Sequence, residues 1–218
     1  MTERTFDRRV EFDARSRAYP IRALIDKTFK PRSYTWACNL WLDQGSEGAC
    51  TGFSMTQEAA ARPVQVQGLS NVVAKEVYRR ARELDEWPGE DYEGSSVLGA
   101  AKAGKERGWY GEYRWAFGEE DLRLAVGYKG PAVLGINWLE GMMQPNAKGV
   151  IRALGAVMGG HAILCNGFNV NSGLYRLHNS WGKSWGVQGE CFISSEDLAK
   201  LLKDQGEAMI PVVRKLGG

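Results

Sequence analysis

The chain has 218 residues, 44% of them hydrophobic, with eight tryptophans and a net charge of +2. So much apolar material can build a sizeable core, either as one large domain or as two small lobes. The charges are scattered, which argues against nucleic acid or an anionic membrane as partner. No run approaches the roughly 18 apolar residues of a membrane span.

Residues 1–34 are mostly polar, with Tyr19-Pro20-Ile21-Arg22-Ala23-Leu24-Ile25 the one apolar patch. The opening stretch, Met1 to Arg9, is charged and lacks the apolar segment of a signal peptide, which implies a cytoplasmic location. Gln44-Gly45-Ser46-Glu47-Gly48-Ala49-Cys50 then brings a glycine-bearing loop up to a run of helical composition that Pro63 stops. Next, Leu69-Ser70-Asn71 offers an N-cap to a helix whose apolar stripe is Val73, Val77, Ala81 and Leu84. Trp87 to Gly94 reads as a loop, and Ser95 or Ser96 starts a small-residue helix that Gly108 ends. Glu119 to Val126 is a further short helix.

The texture changes at Gly130-Pro131. Ala132–Ile136, Val150–Leu154, Ala162–Phe168, Leu174–Leu177 and Glu190–Ile193 read as short strands between glycine turns. A helix over Ser195–Lys203 and a strand over Met209–Val213 close the chain, with Arg214 to Gly218 as a frayed end or, being small and extended, as a tail able to enter a groove. Helices first and strands second predict an α+β fold, with a helical lobe over about 35–115 and a β lobe over about 116–218. The arm 1–34 adds to the β lobe, and all of 1–218 forms a single domain. A cleft between lobes is where a site belongs.

Cys38, Cys50, Cys165 and Cys191 show neither C-x-x-C nor zinc-type spacing, so free thiols and no metal are expected. No cofactor is expected either. Cys165 and Cys191 sit in apolar, strand-like runs and read as packing residues. Cys50 differs, because a thiol on the first turn of a helix meets unpaired N–H groups and the positive end of the dipole. That setting predicts a depressed pKa and a nucleophile.

Two later stretches complete a pattern. Gly159-Gly160-His161-Ala162 opens an apolar strand with one of the two histidines, and Asn179-Ser180-Trp181-Gly182-Lys183-Ser184-Trp185-Gly186 follows. Cys, His and Asn in this order supply a thiolate–imidazolium pair whose ring is oriented by an amide. The chain here resembles the papain-like cysteine peptidases, through Gln44-Gly45-Ser46-x-Gly48-x-Cys50, His161-Ala162 and Asn179-Ser180-Trp181-Gly182-x-x-Trp185-Gly186.

The resemblance implies a two-lobe fold with a helical lobe, an antiparallel sheet or barrel lobe, and the active-site cleft between them. It implies Cys50 as nucleophile, His161 as proton carrier, Asn179 as orienting group and Gln44 as oxyanion donor. Trp181 would shield the His161–Asn179 bond, while Gly48, Gly94, Ser95 and Gly160 would border the substrate. Small residues at Gly159 and Gly160 would leave the adjoining subsite open to bulky apolar side chains. His178 is read as structural, since along a strand it faces away from its neighbour.

The chain departs from the family signature in having Glu47 and Thr51 in place of a cysteine and an aromatic. Its Cys-to-His spacing is also shorter than the family's roughly 130–150 residues, so loops are trimmed. The stretch before Cys50 leaves no room for the family's usual prosegment, so the arm is expected to lie along the surface or, as the alternative, to cover the groove. The implied activity is peptide-bond hydrolysis through an acyl-enzyme, acting on a peptide or protein. The alternatives are a cell-wall amidase or transpeptidase, a processor of one partner protein, or a binding module on a dead fold.

Overall fold

The computed structural model describes residues 4–85 and 93–214. The loop expected from Trp87 therefore falls largely outside the described residues, as does the tail from Lys215. Two short strands, β1 (Arg8–Arg9) and β2 (Tyr34–Thr35), precede helix α1 (Cys50–Ala60). Thr51, Gly52, Ser54 and Thr56 make α1 a weak helix former by itself, so packing must hold it. Every residue from Cys50 to Ala59 is buried.

Helix α2 (Asn71–Leu84) lies across α1, capped by the Ser70 side chain, and buries Ala74, Val77, Tyr78 and Ala81 on one stripe. Gly52 permits the crossing, since a Cβ there would stand 2.5 Å from the Ala74 carbonyl oxygen. Strand β3 (Ser95–Ser96) leads directly into helix α3 (Val97–Glu106), which the Ser96 side chain caps. Gly108 just beyond it has a φ of +75°, the left-handed turn expected of a helix stop.

The second half is a sheet. Strands β4 (Tyr110–Trp115), β5 (Ala132–Leu139), β6 (Val157–Asn169), β7 (Leu174–His178), β8 (Glu190–Ser194) and β9 (Glu207–Arg214) lie in the order β4-β9-β5-β6-β7-β8. All these pairings are antiparallel, and β2 adds to β6. Helices α4 (Glu119–Tyr128) and α5 (Ser195–Lys203) cover one face. Alternation along β5 sends Leu134 and Ile136 into that core with Leu122 and Leu198. Val133 points the other way, to a core shared with Cys50, Met55, Val97 and Ala162. The architecture is α+β, with helices α1 to α3 against one face of the sheet.

Two expected elements differ. Val150–Leu154 is not a strand: its main chain bonds in turn to Phe192, Gly141 and the Asp197 carboxylate, so no single neighbour gives it a ladder. Strand β4 was not foreseen, because Gly111, Glu112 and Arg114 break its apolar pattern, yet it pairs with β9 at the sheet's edge. Arg214 is no frayed end either. It closes β9 and pairs with buried Glu58 of α1.

Candidate active site

Cys50 is the first residue of α1, and Ala49 before it caps nothing with its side chain. The first-turn N–H groups are thus left for whatever approaches the thiol. Main-chain groups of Ala162 and Asp7 hydrogen-bond the thiol, so the N-terminus of α1 abuts the residue that follows His161. The loop before it is pinned across the cleft by Gln44 N donating to the Ser180 carbonyl at 2.9 Å. The Gln44 amide oxygen accepts from Ser180 Oγ at 2.7 Å and its nitrogen donates to the Glu47 carbonyl at 2.9 Å. One of its two N–H donors remains.

His161 sits at 0% exposure on β6, where its Nε2 bonds Asn179 Oδ1 at 2.9 Å. That oxygen also accepts from Ser180 N at 2.8 Å, which fixes its direction. With Nε2 engaged, Nδ1 is the free nitrogen, and it has no hydrogen-bond partner. Rings enclose the imidazole: Trp181 at 5.1 Å and Trp138 edge-on at 4.9 Å, centroid to centroid. His178, by contrast, bonds Glu190 through Nδ1 and the Leu40 carbonyl through Nε2. Both its nitrogens tie strands and loop together, away from Cys50.

Residues 4–11 of the N-terminal arm enter the cleft, whereas most of 12–34 lies exposed along the surface. Arg4 bonds Asp43 and the carbonyls of Gly45 and Trp181, with its guanidinium over the Trp181 ring. Phe6 packs edge-on against His161 and Trp181. Asp7 bridges to Gly160, and Arg8–Arg9 pair in parallel with Ser95–Ser96. The arm fits because glycines line the cleft. A Cβ on Gly48, Gly94 or Gly160 would stand about 2 Å from an Asp7 or Arg8 atom (2.0, 1.9 and 2.2 Å). Composition suggested a solvated arm because the contacts that draw it inward come from four distant loops and strands.

The covering arm alters the chemistry of the pair. Burial pushes the Cys50 thiol up to about 11 and His161 down to about 4. This is opposite to the depressed thiol expected from the helix N-terminus: in the covered state desolvation outweighs the dipole, and thiol and imidazole are both neutral. No hydrogen bond joins Cys50 to His161 among the described residues. An open groove of about 990 Å³ lies away from this pair, between Phe12–Arg17 and Trp115–Gly118.

Arg8 carries the deepest contact. Its side chain is fully buried against Glu207, with Nη2 at 2.7 Å and Nε at 3.1 Å from Oε1. Nη2 also donates to the Gln205 carbonyl at 2.8 Å. Burial raises Glu207 to about 7, although Arg8 pulls it down. The sequence pattern missed Arg8, Glu207, Phe6 and Trp138. Glu207 opens β9 two residues before its expected start, and Trp138 lies just past the expected end of β5.

All four cysteines are buried and unbridged, with Cys165 and Cys191 in strands of the core. No group of three or more potential metal ligands occurs among the described residues. No helix among them is long and apolar enough to cross a membrane.

The papain family cysteine protease model matches residues 91–202, just over half of the chain and including His161 and Asn179. No curated protein matches the chain by sequence. Among solved structures, xylellain, a cysteine protease from Xylella fastidiosa, has a TM-score of 0.65 at 15% identity over 99% of both chains. Procathepsin L 3 of Tenebrio molitor larval midgut has a TM-score of 0.67 at 16% identity, over 86% of this chain and 72% of that one. A procathepsin B from Trypanosoma congolense reaches 0.65 at 15% identity, over 96% of this chain and 83% of that one. At such identities these three speak to the fold alone, and they place it with papain-like enzymes. The sequence match carries the assignment further: the chain belongs to the papain family of cysteine proteases.

Proposed function

We propose that Cys50 is the nucleophile of a peptide-bond hydrolase, with His161 Nδ1 as its proton partner, Asn179 as the orienting group and Gln44 as an oxyanion donor. The observation that carries this reading is the His161 Nε2–Asn179 Oδ1 bond of 2.9 Å, which leaves Nδ1 unpartnered beside the N-terminus of α1. In the reaction, the Cys50 thiol gives its proton to His161 Nδ1 as its sulfur bonds to the substrate carbonyl carbon, and the carbonyl oxygen takes up the negative charge. The Cys50 N–H and the spare Gln44 N–H donate to that oxygen. Collapse breaks the C–N bond as His161 gives its proton to the departing amine, leaving a thioester. Water, deprotonated by His161, then attacks the thioester, releases the acid and restores the thiol.

Trp181 and Trp138 keep water from the His161–Asn179 bond. Gly94, Ser95 and Gly160 border the substrate, since they now hold the arm's backbone, and Gly48 borders it where the Asp7 side chain now lies. The arm must therefore withdraw before a substrate enters, and withdrawal rehydrates Cys50 and His161 so that the ion pair can form. The whole chain works as one unit, with the helices supplying Cys50 and the sheet supplying His161 and Asn179.

The test uses the full chain with the arm's anchors weakened, Arg4→Ala/Arg8→Ala. It should cleave casein, and adding Cys50→Ala should abolish that cleavage. Casein left intact while peptidoglycan fragments are cleaved would replace this reading with a cell-wall amidase.

A further inference from the structure

The helix that carries Cys50 is tied to the residue that orients His161. In α1 the Ser54 and Thr56 hydroxyls donate back into their own helix, to the carbonyls of Thr51 at 3.1 Å and Gly52 at 2.8 Å. Gln57 and Glu58 instead reach out of it. Glu58 pairs with Arg214 at the end of β9. Gln57, at 0% exposure, donates from Nε2 to the Asn179 carbonyl at 3.0 Å. It lies two helical turns beyond Cys50 and so shares that residue's face of α1, about 10 Å further along the axis. One face therefore presents the thiol at its start and an amide near its end. The main chain of Ala162, next to His161, holds the thiol, and the main chain of Asn179, whose side chain holds the ring, receives the amide. These links close a circuit from Cys50 along α1 to Gln57, Asn179, His161 and Ala162, and back to Cys50.

Resting on the peptidase reading above, we propose that Gln57 is a positioning residue for the reaction. By fixing where α1 stands along the sheet, it sets the separation of the Cys50 sulfur from His161 Nδ1.

As mere filler Gln57 is a poor choice, because its Oε1 is buried without a partner, and a leucine of similar size would avoid that. The amide cannot turn over to relieve it, since Oε1 would then face the Asn179 carbonyl. Both ends of the link are held. The Gln57 carbonyl accepts from Cys38 Sγ at 3.4 Å and from Ala61 N at 3.0 Å. The Asn179 N–H donates to the Gly189 carbonyl at 2.9 Å. The apolar residues packed around α1, Val97, Val133 and Ala162 among them, attract it without direction and tolerate a small slide. A hydrogen bond between two held points does not. A misplacement of about 1 Å at a reacting pair can lower turnover about 100-fold, so such a link has a large effect at the thiol.

The test uses the full-length Arg4→Ala/Arg8→Ala protein, with Gln57→Leu, Gln57→Glu or Val77→Ala added. Gln57→Leu keeps the volume and removes the donor. It should lower kcat for one fluorogenic peptide by about 10- to 100-fold, with KM changed by less than about twofold. Gln57→Glu should keep most of the activity in acid, where its buried carboxyl is protonated and the O–H donates to the Asn179 carbonyl. As pH rises and that carboxyl ionises, its kcat relative to the Gln57 protein should fall, whereas the ratio for Gln57→Leu stays flat. Should Gln57→Leu fail to fold, this pH-dependent ratio carries the same test. Val77→Ala opens a cavity in α2 beside α1, controls for lost packing and should leave kcat unchanged well below its melting temperature. Unchanged kcat in Gln57→Leu, equal losses in Gln57→Leu and Val77→Ala, or a flat ratio for Gln57→Glu overturns the assignment and leaves the peptidase reading standing. Alkylation of Cys50 by iodoacetamide gives a readout independent of turnover. In the Arg4→Ala/Arg8→Ala protein it should persist into mildly acidic pH, as an ion pair requires. With Gln57→Leu it should rise only as an ordinary thiol titrates, near about pH 8.5. Coinciding profiles overturn the assignment. A profile that shifts with Gln57→Leu, with every peptide left uncleaved, supports the positioning role and sinks the peptidase reading instead.

Discussion

Asn179 Oδ1 serves two donors, His161 Nε2 and the Ser180 N–H, so the ring cannot turn without losing a buried bond. Replacing it by alanine leaves His161 Nε2 unpaired at a fully buried site. Asn179→Ala should therefore lower kcat by at least about tenfold in the Arg4→Ala/Arg8→Ala protein, with KM little changed. Gln44→Ala should lower kcat by about 100- to 1,000-fold, the usual cost of one oxyanion donor. Steady-state kinetics on one peptide checks both, and unchanged kcat in either variant would remove that residue from the proposed mechanism. The Cys50 thiol offers a second readout. Buried beneath the arm it stands near 11, mostly protonated at neutral pH. Removing the Arg4 and Arg8 anchors should speed its labelling by iodoacetamide at pH 7, while Cys165 and Cys191 stay slow in their core. Equal rates in the anchored and unanchored proteins would mean that the arm does not govern the thiol.

Elements were legible where local chemistry defines them. Ser70 and Ser96 mark helix starts, Gly108 marks a stop, and short apolar runs between glycine turns mark β5, β6, β7 and β8. Cys50, His161 and Asn179 could be picked out because each carries its own neighbours in a short motif. What stayed hidden depends on register between distant segments. Glu207 matters only because β9 lies beside β5, which sets its carboxylate opposite Gly135. Trp138 matters because antiparallel pairing puts it across from Gly159, beside the His161 ring. The arm's course depends on glycines more than 40 residues away from it, and no periodicity within residues 4–9 announces that. The α1–α2 crossing is a comparable case, since Gly52 reads as an ordinary weak spot until Ala74 and Tyr78 are seen against it. Gly52→Ala should destabilise the protein by about 1–3 kcal/mol through overpacking, despite alanine's better helix propensity. Urea denaturation gives the sign: a more stable Gly52→Ala would mean that α2 can shift away freely.

At the scale of the whole molecule, two buried groups pull stability in opposite directions with pH. Glu207 is raised from its usual value to about 7. Between about 4.5 and 7 the folded state therefore holds a proton that the unfolded chain has lost, and stability falls as pH rises. His161 is lowered to about 4. Between about 4 and 6.5 the unfolded chain holds the extra proton, so this contribution rises with pH and is lost on acidification. The windows overlap, and the intact protein should show a shallow slope across mildly acidic pH. Glu207→Gln removes one side of the balance. The variant's unfolding free energy should then climb more with pH from about 4 to 6.5 than that of the intact protein, because the His161 contribution has lost its counterweight. The difference between intact protein and variant should shrink by up to about 3 kcal/mol from pH 4.5 to 7.5. Urea midpoints at half-unit intervals would resolve this, and parallel curves for the two proteins would show that Glu207 does not titrate in that range. The same carboxylate would then be ionised throughout, holding Arg8 with equal strength at every pH tested. In that case withdrawal of the arm would have to be driven by something other than protonation of Glu207.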